Sequence, residues 1–99
     1  TRLIMRSLRN TERVLKNSSV DRIMAIEQEK GADLNIMDIH KEVAGVYPRI
    51  MKEGTMEAGA WSCGMVAGLI HDIPTCKELV ERIVSEAETI IRSRLAKLA

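Results

Sequence analysis

Apolar residues open the chain at Leu3, Ile4, Met5 and Leu8, and residues 3–8 are expected to form a short strand. No second run of strand character follows. A lone strand leaves its backbone donors and acceptors unpaired unless another segment supplies a partner. Asn10 or Thr11 can cap a short helix running toward Lys16. Ser18 with Asp21 resembles a capping box for a second helix, with Val20, Ile23 and Met24 on one apolar face and Gly31 placed to stop it. Asn35 can cap a third helix, in which Ile36, Ile39, Val43, Val46, Tyr47 and Ile50 follow helical spacing. Pro48 should kink or interrupt it, and Gly54 is a plausible end.

Residues 57–70 read differently. Trp61, Met65 and Leu69 recur four apart, as do Ala60, Gly64 and Gly68, which on a helix would form two faces. Glycine costs roughly 1 kcal/mol against alanine in a helix. Two at this spacing would leave a groove for close approach by another helix, a barrel wall or a flat cofactor. Plain helix packing explains such a groove as well.

The clearest helix begins at Pro74 and Thr75. Thr75 and Glu78 form a T-x-x-E capping box. Leu79, Val80, Ile83, Val84, Ala87, Ile90 and Ile91 make a broad apolar stripe that continues to Leu95 and Leu98. Glu78 with Arg82, and Glu88 with Arg92, are expected i,i+4 pairs, each contributing a few tenths of a kcal/mol. The pattern as a whole predicts a mainly α chain of four to five helices plus one short N-terminal strand.

The chain has 99 residues, so one domain is the upper bound, with a modest core. Phe is absent and aromatics are limited to Trp61 and Tyr47, so Met, Ile, Leu and Val must fill that core. A net charge of +1 excludes a marked basic excess and argues against a nucleic-acid partner. Arg2, Arg6, Arg9, Arg13 and Lys16 cluster at the start, where a solvated face is the plain reading. The longest apolar run, residues 58–70, falls short of the ~20 residues a membrane span needs. Arginines interrupt the opening stretch, so no signal peptide is visible. Cys63 and Cys76 form no CxxC pair, which suits a reduced, cytoplasmic setting.

Candidate chemistry is thin. His71 beside Asp72 could belong to a metal site, but only His40 remains as a further histidine, and a polar turn before Pro74 accounts for the pair. On a continuous helix Cys63 and His71 would stand about 12 Å apart along the axis, beyond hydrogen-bond reach. The carboxylates alternate with Lys and Arg, and no P-loop or GxGxxG is present.

Three stretches, in order, resemble the C-terminal region of nitronate monooxygenases, also called 2-nitropropane dioxygenase-like proteins. They are residues 3–17, LIMRSLRNTERVLKN; residues 53–70 with the core WSCGMVAGLI at 61–70; and the long helix over 74–98. The resemblance implies an FMN-binding TIM barrel with a helical insertion near its C-terminal end. It implies oxidation of alkyl nitronates with oxygen, or, in a subgroup equally similar here, NADH:quinone reduction. Residues 1–17 would then carry the last barrel strand and a following turn or helix, 18–73 the helical insertion, and 74–99 a helix packing on the barrel. FMN would be bound mainly by an N-terminal barrel absent from this chain, so the segment alone is expected to be inactive. A start at Thr1 rather than Met is compatible with a fragment or a processed product.

The family's catalytic histidine lies in a glycine-rich context that neither His40 nor His71 matches, so neither takes a catalytic role. Thr55 stands where an acidic residue is expected after Gly54, although Thr can still cap a helix. Trp61, Ser62, Gly64 and Met65 are the candidates for cofactor or substrate contact, with no metal. The competing reading from another class is an autonomous helical module whose apolar stripe binds a partner helix.

Overall fold

Residues 3–8 do not run as one strand, and the strand is not alone. The computed structural model describes residues 1–98. Arg2–Ile4 (β1) pairs antiparallel with Glu12–Val14 (β2), with Leu3 opposite Arg13. The helix expected after Asn10 is therefore a strand. Its pattern is too short to show a period: only Val14 of β2 is fully buried. The connecting turn holds Met5 at φ 58° and Arg9 at φ 53°, a left-handed conformation uncommon outside glycine. The Met5 amide donates to the Glu27 carboxylate, which fixes this turn to the following helix.

That helix, Ser18–Lys30 (α1), is capped one residue earlier than the Ser18–Asp21 pattern suggests. Asn17 is extended, and its side-chain oxygen accepts from the Val20 amide at 2.9 Å. Gly31 ends it at φ 54°, as expected. Asn35 caps Ile36–Val43 (α2) through the Met37 amide, while the Asp38 carboxylate accepts the Asn35 amide at 2.9 Å. The expected interruption is complete, because a separate helix, Tyr47–Glu53 (α3), starts with Pro48 in its first turn. There a missing N–H leaves no bond unmade. Gly54 closes α3 at φ 67°.

Ile4 and Val14 from the hairpin, Val20 and Ile23 from α1, and Ile39 from α2 are fully buried and form one core with Met5, Leu34 and Ala60. These elements belong to the unit Thr1–Leu69.

The helix expected over residues 57–70 is not formed. Only Met65–Leu69 is helical, as a short 3₁₀ segment, and Ser62 makes a bridge with Val14 of β2. Helical spacing was present, but three glycines in this stretch weaken a helix, and the β2 edge offers backbone partners instead. With no α-helix, the groove does not exist. A Cβ on Gly64 would meet only Val66 Cγ1 at 3.9 Å, and one on Gly68 would meet nothing within 4 Å.

The second unit begins at Ile70. Its helix Cys76–Ser93 (α4) carries the full Thr75–Glu78 capping box, and a 3₁₀ turn follows at Leu95–Lys97. The apolar stripe is solvent-facing, with Val80 60% and Ile83 58% exposed. The Glu88–Arg92 pair is present at 3.4 Å. The Glu78–Arg82 pair is not among the ion pairs of the described residues: Glu78 bonds the Thr75 amide and hydroxyl, and Arg82 reaches Asp72 at 2.6 Å. Among the described residues, no helix is long and apolar enough to cross a membrane.

Candidate functional site

None of the four candidate residues lies in an α-helix: Ser62 sits in the bridge to β2 and Met65 opens the 3₁₀ segment, so partners rather than a long helix determine their placement. On one side the segment extends the hairpin. The Leu15 amide donates to the Trp61 carbonyl at 3.1 Å, and the Cys63 amide donates to the Arg13 carbonyl at 3.0 Å. Residues 61 and 63 thus face β2, and the intervening Ser62 amide donates to the Tyr47 hydroxyl at 2.8 Å. The Tyr47 hydroxyl in turn donates to Ser62 Oγ at 2.9 Å, and Ser62 Oγ donates to the Glu12 carboxylate.

Upstream, the loop from Gly54 to Ala60 is fastened to the N-terminus of α1. The Asn17 side-chain amide donates to the carbonyls of Met56 at 3.0 Å and Gly59 at 2.9 Å. One side chain thereby caps α1 and holds the loop. The Glu57 carboxylate accepts from the Ser18 amide at 2.7 Å and from its hydroxyl at 2.6 Å. An anion there also suits the positive end of a helix dipole. The Ser18 bonds hold the Glu57 carboxyl below its usual range. Trp61, partly buried, donates its ring N–H to the Met56 carbonyl at 3.3 Å.

Glu42 on α2 is the one buried carboxylate among the described residues. Arg22 grips it with two bonds, at 3.0 and 2.8 Å, and also donates to Ser19 Oγ at 2.8 Å. The Arg22 guanidinium lowers the Glu42 pKa against the opposing effect of burial. The arrangement is an α1–α2 brace, and the same residue's carbonyl accepts the Ala60 amide at 2.7 Å.

Past this clamp the chain is open. Met65 is 71% and Leu69 78% exposed, and Gly64 and Gly68 present bare backbone. The segment can therefore offer one apolar wall to a flat ligand, not an enclosed pocket. A separate cleft of about 350 Å³ is lined by Met5, Leu8, Asn10, Leu34, Asn35 and Ile36, and contains none of the four candidates.

His40 and His71 are both exposed, and no group of three potential metal ligands occurs among the described residues. Cys63 and Cys76 are free thiols. Sequence reasoning missed Glu12, Asn17, Tyr47 and Glu57. Apart from the local cap that Asn17 makes with the Val20 amide, their roles arise from contacts between residues 15 to 50 positions apart, which no local pattern signals.

Comparison with known proteins gives partial matches. The chain is 46% identical over 58 residues to the (3aS,4S,5R,7aS)-5-hydroxy-7a-methyl-1-oxo-octahydro-1H-indene-4-carboxyl-CoA dehydrogenase of Mycobacterium tuberculosis, covering 54% of this chain and 16% of that protein. It is 43% identical over 49 residues to the dehydrogenase of the same name from Rhodococcus jostii, covering 46% of this chain and 14% of that protein. No protein-family model matches the chain, and no solved structure matches it.

Proposed function

We propose that this chain is the C-terminal part of a cytoplasmic, FMN-dependent oxidoreductase built like the nitronate monooxygenases, with the missing barrel supplied by a longer parent. The observation that carries the oxidoreductase reading is the 46% identity to a stretch of a dehydrogenase of which this chain spans about one-sixth. The exposed stripe on α4 agrees with it. A run including Val80, Ile83, Val84 and Ile91, each more than half exposed, forms a large contiguous apolar face of the kind that marks a contact surface.

Residues 61–65 fit FMN in one respect only. Gly64 lacks a side chain, Met65 is exposed, and Trp61 lies close by in sequence, which suits one wall beside a flat ring. No phosphate cradle accompanies them in the sequence, so the phosphate would be held by the rest of the parent. When bound, the flavin would accept the electrons removed from substrate. Trp61, Ser62, Gly64 and Met65 would border it or the substrate, and neither histidine would act as the base.

For the substrate, the resemblance favours alkyl nitronates with oxygen, or quinone with NADH. A second reading, oxidation of a ring-bearing CoA thioester, is favoured by the substrate for which the two dehydrogenases are named. Purified parent, from the open reading frame that contains this chain, should retain FMN and turn over one of three mixtures: nitronate with oxygen, NADH with quinone, or a bicyclic acyl-CoA with an electron acceptor. The productive mixture selects the substrate class. A flavin-free parent inactive on all three would refute the proposal.

A further inference from the structure

We infer that Tyr47 is a positioning residue for the segment that carries Ser62, Gly64 and Met65, with Glu12 as its counterpart. The Tyr47 hydroxyl occupies the place of a missing strand. Trp61 and Cys63 turn their backbone groups to β2, so the Ser62 amide points to the opposite side, where no further strand pairs among the described residues. The Tyr47 hydroxyl accepts from that amide at 2.8 Å and donates to Ser62 Oγ at 2.9 Å, closing a two-bond ring through one residue. Ser62 Oγ then donates to Glu12 on β2. Ser62, itself exposed, is thereby held from both flanks, by α3 and by the hairpin, two residues before Gly64. A phenol on α3 and a carboxylate on β2 together set the direction in which residues 64 and 65 leave the fold.

This role rests on the proposal that the segment faces flavin, and the test separates the two. In the purified parent, Tyr47→Phe keeps the ring and removes both bonds to Ser62. Exchange of the Ser62 amide should then accelerate about tenfold, as expected for loss of a bond of this class. FMN affinity or the substrate KM should worsen by a similar factor in the folded protein, with a changed circular dichroism of the bound flavin. Glu12→Gln, which still accepts from Ser62, should give a weaker effect on all three. Unchanged Ser62 exchange would overturn the clamp itself. Faster exchange with unaltered flavin affinity, KM and dichroism would leave the clamp purely structural and overturn the positioning role. A parent that holds no flavin would overturn the functional reading and the positioning role with it, while Ser62 exchange would still report on the clamp.

Discussion

A Cβ on Gly59 would stand 2.2 Å from Val46 Cγ1 and 2.6 Å from the Glu42 carbonyl oxygen. No real Cβ tolerates either contact, so the loop can approach α2 and Val46 only because residue 59 has no side chain. Gly59→Ala should destabilise unit Thr1–Leu69 by roughly 1–3 kcal/mol, as overpacking does. Gly64→Ala and Gly68→Ala should change stability by less than about 0.5 kcal/mol, because both positions face open space. Urea denaturation of the three variants checks this, and equal losses at all three would contradict it.

Asn17 combines two duties that a better helix cap cannot share. Asn17→Ala removes the bond to the Val20 amide, leaves the Gly59 carbonyl without this donor and leaves the Met56 carbonyl with the Trp61 ring N–H alone. Cap loss alone costs about 1 kcal/mol, so the total should exceed that figure. Asn17→Asp would preserve the cap acceptor but set a carboxylate against two carbonyl oxygens. It should therefore also destabilise, although Asp and Asn are nearly equal as isolated caps. An Asp variant as stable as the parent chain would refute the dual role.

How much of this was legible in the sequence follows from range. Caps and stops that depend on neighbours a few residues away were readable: Asn35 with α2, Thr75 with Glu78, Gly31 and Gly54. Pro48 correctly marked a break. The hairpin was not readable, because β2 is three residues long and the turn at Met5 and Arg9 uses left-handed residues other than glycine. Residues 57–70 mislead because spacing of four is a necessary sign of a helix, not a sufficient one. There the β2 edge and the Tyr47 hydroxyl supply the backbone partners that a helix would have supplied internally. Of the candidate site, Ser62 is legible in the sequence, but its holders Tyr47 and Glu12 are not.

Acid should weaken the fold. Hydrogen bonds from Ser18 depress the Glu57 carboxyl, and Arg22 depresses Glu42. A carboxyl with a folded-state pKa below its unfolded value of about 4.3 contributes stability that is complete above that value and is lost as pH falls through the folded-state pKa. The melting temperature should stay nearly flat between about pH 8 and pH 6, then fall below about pH 5. Glu57→Gln should flatten part of that fall. A melting temperature that rises on acidification would contradict the ion-pair and capping roles.

The stripe on α4 gives opposite expectations for the chain alone and for the chain within a parent. Ile83→Lys in the 99-residue chain should alter stability little, because Ile83 is already exposed, and should reduce binding of an apolar dye. In the proposed parent, where a barrel wall would cover Ile83, the same change should cost about 2 kcal/mol or more. Equal effects in the two contexts would favour a stripe that binds no part of its own protein.

Whether this chain completes a flavin enzyme is read from the flavin content of the purified parent, by its visible spectrum and by the nucleotide released on denaturation. Close to one FMN per polypeptide is expected, and the 99-residue chain purified in the same buffer with added FMN should retain none. A parent free of flavin, or a 99-residue chain that binds FMN stoichiometrically by itself, would contradict it.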